Sequence, residues 1–293
     1  MDLKTLRYFV VVAEERNITH AAKILMMCQP PLSNQMKGLE EELHVQLFIR
    51  GKRSLTLTEE GKYLYQKAKD ILSLADKTSG DIASMGKGLS GTISLGVTRS
   101  FDEGISASWI GEFQKTHPQV RFRIRSESSD ALVEKMRLGL ISLAVIAAPY
   151  DEVTLNAIHI SDERWAACFP EDNPLYDPVE SEISVHDLSS CPLIVPERKE
   201  WHESIRKWFR KLHVDPVVAF ETDDWHHAMA LSSEKLGVAL IPETVEPFPG
   251  LISRPIEGKE KAIRYFFVWR KGHPLPTIEE NFIDYIKSIY PLD

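Results

Sequence analysis

The sequence lacks any apolar run close to the ~20 residues that a helix needs to cross a bilayer. Its longest uninterrupted apolar stretches, such as residues 9–13 and 143–148, are far shorter than that. The N-terminal apolar stretch is too short for the core of a signal peptide, and no small-residue cleavage site follows it. We therefore expect a cytoplasmic protein without a membrane span.

Cysteine is scarce, and Cys28, Cys168 and Cys191 lie far apart in the sequence. This spacing gives neither a disulfide framework nor a CxxC pair. The sequence also lacks a GxSxG nucleophile motif, a P-loop and an HExxH metal motif. The adjacent His226 and His227 would point about 100° apart on a helix, which does not favour a shared metal. The sequence therefore predicts no catalytic site, no bound metal and no cofactor.

A net positive charge is absent as well, because 43 Asp and Glu residues outnumber 35 Lys and Arg residues for a formal net charge of −8. This balance argues against a protein that coats nucleic acid with its whole surface. The charge is uneven, however. Residues 1–90 carry 13 basic against 11 acidic residues, whereas the remainder carries 22 against 32. The first 90 residues are thus a separate electrostatic unit, which fits either a local basic surface or a solvated face of mixed charge.

Three short helices are predicted within residues 3–43. Apolar residues recur at helical spacing over residues 3–16, and small residues form one face of a second helix over residues 19–25. Pro30 and Pro31 are tolerated only in the first turn of a helix, so a third helix is predicted to begin near Gln29. Its apolar positions leave a polar surface that can bond base edges and phosphates. That surface comprises Ser33, Asn34, Gln35 and Lys37.

This order of helices is typical of a helix-turn-helix, whose last helix enters a major groove about 12 Å wide. Two short apolar strands then flank residues 50–53, Arg-Gly-Lys-Arg, which predicts a hairpin with a basic tip. From Thr58 a capping pattern begins a long helix that leads to the glycine-rich segment 84–91. Residues 86–91 satisfy GxGxxG, but a helix precedes and a strand follows them, the reverse of a dinucleotide-binding fingerprint.

The segment from residue 9 to residue 64 closely resembles the N-terminal module of LysR-type transcriptional regulators. It contains the landmarks AA, QP-x-LS-x-Q, LE-x-EL, LF-x-R and R-x-x-x-LT in order, and weaker patterns extend the resemblance over essentially the whole chain. The resemblance implies a winged helix-turn-helix, a long dimerising linker helix and a two-lobed effector domain like that of periplasmic solute-binding proteins. It matches Gln29, Pro30, Ser33 and Gln35 to the recognition helix, and Arg50 and Arg53 to the wing.

The domain organisation that we expect has three parts. Residues 1–58 form the winged helix-turn-helix, residues 59–90 the linker helix and hinge, and residues 91–293 the effector domain. Within the effector domain, lobe I would comprise residues 91–162 and 266–293, and lobe II residues 163–265. Since a long helix that joins two subunits can set the spacing of two recognition helices, we predict that one stripe of the linker is a dimer seam rather than an intrachain core face. The stripe comprises Leu64, Ala68, Ile71, Leu72 and Ala75.

Strands alternate with helices over residues 91–293, so the predicted fold class is α/β, with a parallel sheet. Ligands of open α/β sheets bind beyond the carboxyl ends of the strands. Hydroxyl groups and helix N-terminal amides at those ends suit a carboxylate or a similar small anion, although such Ser and Thr residues also cap helices. Trp201 and Trp225 pack between helix and sheet or line the pocket. The candidate effector residues are Thr98, Arg99, Ser100, Ser128, Ser129, Arg198, Trp201 and Asp223.

Two functions fit these observations. The leading hypothesis is a homodimeric or homotetrameric regulator that binds double-stranded promoter DNA and responds to a small, anionic metabolite held between two lobes. The alternative is a two-lobed enzyme or solute-binding module that carries an N-terminal interaction domain. The polar third helix and the basic hairpin favour the first hypothesis, while the lack of a catalytic set and of an export signal weakens the second.

Overall fold

A computed structural model describes residues 1–51, 55–85, 90–258 and 262–290 of the chain. The chain divides into two units, Met1–Gly86 and Lys87–Asp293. The described helices and strands of the N-terminal unit are α1 (Leu3–Glu15), α2 (Ile18–Ile24), α3 (Gln29–Leu43), β1 (Phe48–Arg50), β2 (Leu55–Leu57) and α4 (Glu59–Met85).

Local sequence signals set the boundaries of these helices. The Asp2 carboxylate accepts a hydrogen bond from the Thr5 backbone N–H at 2.7 Å and caps α1. Helix α3 begins with two prolines in its first turn, where their missing N–H groups have no helical partner to lose. At the start of α4 the Thr58 hydroxyl accepts from the Gly61 N–H at 2.9 Å and donates to the Gln46 carbonyl at 2.7 Å. This pair of bonds ties the beginning of α4 to the segment that enters β1.

The core of the N-terminal unit corrects part of the predicted dimer seam. Ala68 and Leu72 are buried in a cluster shared with α1 and α3, and Leu64 packs against the same cluster. Periodicity identified an apolar stripe, but α1 of the same chain covers much of it. The large apolar side chains that α4 leaves exposed include Ile71 and Leu74.

The C-terminal unit alternates strands and helices as expected. Its described elements are β3 (Gly91–Thr98), α5 (Glu103–Thr116), β4 (Val120–Glu127), α6 (Ser129–Arg137), β5 (Leu143–Ala147), β6 (Leu155–Pro170), α7 (Val185–Leu188), β7 (Pro192–Pro196), α8 (Lys199–Arg210), β8 (Val217–Thr222), α9 (Trp225–Ser233), β9 (Val238–Pro242), β10 (Leu251–Pro255), β11 (Ala262–Arg270) and α10 (Thr277–Ile289). Within the described ranges, none of the helices combines the length and the apolarity that a membrane crossing requires.

The sheet of this unit is mixed, which corrects the expectation of a parallel sheet. Its strands follow the order β4-β3-β5-β11-β6-β9-β7-β8, with β10 paired to β6. The pairs β3 with β4, β3 with β5, β7 with β8 and β7 with β9 are parallel. The strands β6 and β11 pair antiparallel with their neighbours, and β6 pairs with strands of both halves of the sheet. Parallel strands thus form the outer part of each half, and the antiparallel pair β11–β6 lies between them.

Strand β6 belongs to both halves of the sheet. Its residues 155–164 pair with β11, and its residues 165–170 pair with β9 or β10. All of β11, beginning at Ala262, pairs with β5 and with those residues of β6. Residues 163–164 and 262–265, which the sequence assigned to lobe II, therefore pair with strands of lobe I. The carboxyl ends of β3 and β4 in lobe I and of β7 and β8 in lobe II border one cleft.

Candidate functional site

Helix α3 presents a polar surface from the N-terminal unit. Leu32, Met36 and Leu39 are buried and fix the rotation of the helix. The other sides of the helix carry Gln29, Pro30, Asn34, Gln35 and Lys37, all exposed, and the half-buried Ser33. Helix positions three or four residues apart lie on one face, so all of these except Gln35 form one continuous surface, while Gln35 lies on the flank next to α1.

Two of these side chains have partners within the unit. The Thr5 hydroxyl of α1 donates to the Gln35 amide oxygen at 3.3 Å. This contact orients the Gln35 side chain, and the amide NH₂ stays available as a donor. The Lys37 ammonium lies 3.4 Å from the Glu41 carboxylate, and both side chains are well exposed. Exposed ion pairs of this kind contribute about 0–1 kcal/mol, so the cation can leave its partner for a phosphate.

The predicted wing is a two-stranded antiparallel sheet. Phe48 pairs with Leu57, and Arg50 pairs with Leu55 at the end of β1. The Leu55 N–H donates to the Arg16 carbonyl at 2.8 Å, which fastens β2 to the end of α1. The other predicted wing cation, Arg53, lies outside the described residues.

In the C-terminal unit, the eight candidate effector residues all border one cleft of about 380 Å³. This volume is near the lower end of the roughly 300–1,000 Å³ that is typical of small-molecule sites. The lining also includes side chains that the sequence reasoning did not select, although each is adjacent to one that it did: Asp130, Lys199 and Glu200. Sequence reasoning identified the strand ends but could not tell which neighbouring side chains turn toward the cleft.

The lobe I wall is held by hydroxyl groups. The Ser129 hydroxyl accepts from the Ala147 N–H at 3.0 Å and donates to the Thr98 hydroxyl at 3.1 Å. Ser128 caps α6 by accepting from the Ala131 N–H at 3.3 Å. The alternative interpretation of these residues as helix caps therefore holds for Ser128, while Ser129 and Thr98 join the ends of three strands.

Arg198 crosses the cleft from lobe II to lobe I. Its side chain is only 10% exposed and lies just before α8. Its Nη1 donates to the carbonyls of Ala147 at 2.9 Å and Ala148 at 3.1 Å, and its Nη2 donates to the Pro149 carbonyl at 2.8 Å. Nη2 also lies 3.3 Å from the Asp130 carboxylate. The guanidinium fork thus links the lobes through several fixed acceptors.

A second arginine crosses the cleft in the opposite direction. Arg99 Nη1 of lobe I donates to Asp223 Oδ2 of lobe II at 2.9 Å. These side chains are 44% and 55% exposed, so solvent weakens their attraction and the pair contributes about 0–1 kcal/mol. Of the two arginines that cross the cleft, Arg99 is the one whose contact a ligand can displace at low cost.

Tryptophan side chains form a cluster beside the cleft. The Trp201 and Trp225 rings stack with centroids 5.9 Å apart, and the Trp165 ring meets the edge of both. The Arg198 guanidinium lies over the Trp201 ring at 5.4 Å. The Trp201 ring therefore packs between the Arg198 guanidinium and the Trp225 ring, and both of its faces are largely covered.

Three buried polar atoms of the lining have no hydrogen-bond partner among the described residues. One is Arg198 Nε, which lies 3.5 Å from a Glu200 carboxylate oxygen. The others are the Ser100 hydroxyl oxygen and Trp225 Nε1, on residues that are 4% and 6% exposed. Leaving such groups unsatisfied costs about 1–3 kcal/mol each, and an indole N–H can only donate. These atoms fit a bound molecule with oxygen acceptors.

Behind this wall, the Tyr265 side chain of β11 contacts the segment that follows β3, and a buried carboxyl group lies near Tyr265. The Tyr265 hydroxyl donates to the Ser100 carbonyl at 2.6 Å. The nearby Glu163 is buried and accepts from the Thr244 N–H at 2.9 Å. Burial raises the pKa of the Glu163 carboxyl above its ordinary value, and burial also raises the pKa of the Tyr265 hydroxyl. Both groups therefore favour their neutral forms more than they would in water.

No group of three or more His, Cys, Asp or Glu side chains in the described part of the chain is arranged to hold a metal ion. The His226 ring lies 3.6 Å from Asp224, which also caps α9 through the His226 N–H. These contacts give the histidine pair local partners at a helix start.

Residues 3–62 match the family model described as "Bacterial regulatory helix-turn-helix protein, lysR family", and residues 86–290 match "LysR substrate binding domain". The chain is 28% identical over 291 residues to the HTH-type transcriptional regulator BsdA of Bacillus subtilis (strain 168), covering 97% of this chain and 99% of BsdA. It is 30% identical over 273 residues to the HTH-type transcriptional regulator XapR of Escherichia coli (strain K12), covering 90% of each. The crystal structure of CbnR, a LysR family transcriptional regulator, resembles it with a TM-score of 0.80 at 22% identity and covers 100% of both chains.

Proposed function

The chain belongs to the LysR family of DNA-binding transcriptional regulators, and we propose that α3 reads its promoter while a small molecule in the interlobe cleft sets the response. Its helix-turn-helix and effector-binding domains make it a regulator rather than the enzyme or solute-binding module that the sequence also allowed. We also infer a cytoplasmic location, because promoter binding requires access to the chromosome.

The exposed polar side of α3 is the observation that carries the DNA-binding assignment. We assign base contacts to Gln29, Ser33, Asn34 and Gln35, whose amide and hydroxyl groups match base edges in the major groove. Pro30 would fix the start of the helix, and Lys37 would contact phosphate. Arg50 and Arg53 are assigned to backbone or minor-groove contacts by the wing, because they match the family pattern.

The assembly that we infer is a homodimer through α4, with a homotetramer as a pair of such dimers. The contact would use Ile71 and Leu74, which are 38% and 40% exposed, together with Ala75. The proposed contact does not rely on Ala68 and Leu72, which are buried in the core of their own chain, or on Leu64, which packs partly against that core. A dimer would present two recognition helices to two half-sites.

The effector assignment rests on how the cleft is built. Ser100 and Trp225 offer buried polar atoms without protein partners, and Arg99 offers a displaceable cation. Thr98, Ser128 and Ser129 would shape the lobe I wall, while Arg198, Trp201 and Asp223 would shape the lobe II wall. A molecule that binds one arrangement of the lobes more tightly than another increases the population of the first arrangement. The size of this shift is limited by the ratio of its affinities for the two arrangements.

The DNA assignment is tested with DNA selected by the full-length protein from a random duplex library. Binding is then measured by fluorescence anisotropy over a salt series for Gln35→Ala and Lys37→Ala. Gln35→Ala should lose about 1–3 kcal/mol of discrimination between selected and scrambled DNA. Lys37→Ala should weaken binding to all DNA alike and reduce the salt slope by about 1.

Two control variants sharpen this test. Gln66→Ala makes the same chemical change at an exposed position of α4 and should leave discrimination unchanged. Thr5→Val keeps the Gln35 amide but removes its hydrogen bond from α1, so it reports whether that contact positions the amide. Wild-type discrimination and salt slope in both α3 variants would refute the assignment.

A further inference from the structure

The charges around the cleft do not favour a simple anion. Among the described residues, its lining carries three basic side chains and four acidic ones: Arg99, Arg198, Lys199, Asp130, Glu197, Glu200 and Asp223. The amides at the N-terminus of α6 add positive potential, but the side chains themselves carry one negative charge more than positive. A ligand that brings only negative charge would add to that excess.

The two arginines are not equally available to a ligand. Arg198 is almost fully enclosed and donates to three backbone carbonyls, which cannot move aside without shifting the strand end. Arg99 is exposed and has Asp223 as its ion-pair partner. An incoming carboxylate would therefore take Arg99 and leave the Asp223 carboxylate without its cation.

Resting on the regulator function above, we propose that the effector is a zwitterion that inserts between Arg99 and Asp223. Its carboxylate takes the Arg99 guanidinium, and its ammonium takes the Asp223 carboxylate. One exposed ion pair is thereby exchanged for two, and neither Arg99 nor Asp223 is left without a partner of opposite charge. The chemical class is a small amino acid or an analogue with the same two charges.

A buried polar atom without a hydrogen-bond partner among the described residues lies close in sequence to each member of the Arg99–Asp223 pair. Ser100 directly follows Arg99, and its buried hydroxyl has no partner among the described residues. Trp225 lies two residues after Asp223, and its buried Nε1 is likewise without one. Because the indole N–H can only donate, it requires an acceptor such as a carboxylate oxygen or a polar side chain of the ligand. Both charged anchors thus have an unused polar group next to them.

The test uses the full-length protein and matched probes. Each of the twenty common amino acids is compared by thermal shift with the carboxylic acid that lacks its amine and with the amine that lacks its carboxylate. At least one amino acid should raise the Tm, and calorimetry should give it at least a tenfold lower Kd than either matched probe. A ligand that binds only the native state at free concentration L stabilises it by RT ln(1 + L/Kd), so the Tm shift at a fixed ligand concentration reports binding without requiring DNA.

Asp223→Asn then separates the two charges. The variant keeps the shape of the side chain but removes the partner of the ammonium, so affinity for the amino acid should fall at least tenfold. Affinity for the matched carboxylate should stay the same or rise, because Arg99 no longer has a competing acid. Asp172→Asn, which breaks an exposed ion pair with Lys235 away from the cleft, should change neither affinity.

The outcomes are distinct from a failure of the regulator function itself. A carboxylate that binds as tightly as its amino acid would overturn the zwitterion while leaving an effector cleft in place. A panel in which no amino acid raises the Tm would also overturn it. An amino acid that binds as described, but never changes DNA affinity or transcription, would uphold the ligand class and refute the regulatory role of the cleft.

Discussion

Replacing Arg198 by alanine should destabilise the C-terminal unit more than the same change at Arg99, the other arginine that crosses the cleft. The side chain is 10% exposed and gives hydrogen bonds of 2.8–3.1 Å to the carbonyls of Ala147, Ala148 and Pro149. Hydrogen bonds from a charged group contribute about 1.5–3 kcal/mol each. The desolvation of a nearly buried guanidinium offsets part of that sum, so we expect a net loss of about 2–4 kcal/mol.

The expected shift in melting temperature follows from the size of the unit. For a unit of about 200 residues, each kcal/mol corresponds to about 2–4 °C, so the Tm of Arg198→Ala should fall by about 4–16 °C. Differential scanning calorimetry of the full-length protein, at one fixed protein concentration, measures this shift. Arg198→Lys should fall in between, because an ammonium carries the charge but cannot reach several carbonyls with one planar fork.

Arg99→Ala is the matched control, because it removes the other interlobe arginine. Its ion pair is half exposed and contributes about 0–1 kcal/mol, so the Tm should fall by no more than about 4 °C. Equal Tm losses in Arg99→Ala and Arg198→Ala would refute the claim that carbonyl contacts make Arg198 the stronger link between the lobes.

Two further predictions concern the N-terminal core and the buried acid. Leu72→Glu should unfold the N-terminal unit because it buries a charge. Leu74→Glu, on the exposed side of α4, should keep the wild-type melting curve by circular dichroism and should shift the sedimentation coefficient toward that of a monomer. A wild-type melting curve for Leu72→Glu would contradict the assignment of Leu72 to the core. Because the pKa of Glu163 is raised in the folded state, its contribution to stability is present at low pH and is lost as pH rises through that pKa. Glu163→Gln retains an acceptor for Thr244 and carries no charge. Its Tm should therefore exceed that of the wild type near neutral pH and converge with it below about pH 4. A Tm difference that does not vary with pH would rule out a contribution from the titration of Glu163.

The sequence allowed good predictions wherever a local rule determined the structure. Proline at the start of α3 and the spacing of Leu32, Met36 and Leu39 set both the beginning and the rotation of that helix. The rule that ligands bind beyond the carboxyl ends of strands brought together eight residues that border one cleft, and their role in binding stays a prediction.

Predictions that depend on what covers a surface were less successful. The apolar stripe of α4 was identified correctly as a stripe, but periodicity carries no information on whether the same chain or a partner packs against it. Ala68 and Leu72 are covered by their own chain. The direction of β6 and β11 was also missed, because strand orientation depends on contacts between segments about a hundred residues apart.

The long-range pairing of β11 has a consequence for the order in which the protein can fold during its synthesis. The outer edge of β5 is completed only by β11, as Ala147 pairs with Tyr265. At roughly 5–20 residues per second, the ribosome needs about 5–25 s to produce the intervening segment. During that interval a fully buried, apolar strand has an open edge, which is the kind of surface that pairs with other chains. Nascent chains of this protein are therefore expected to depend on chaperones until β11 emerges, and truncations just before residue 262 should aggregate rather than yield a folded lobe.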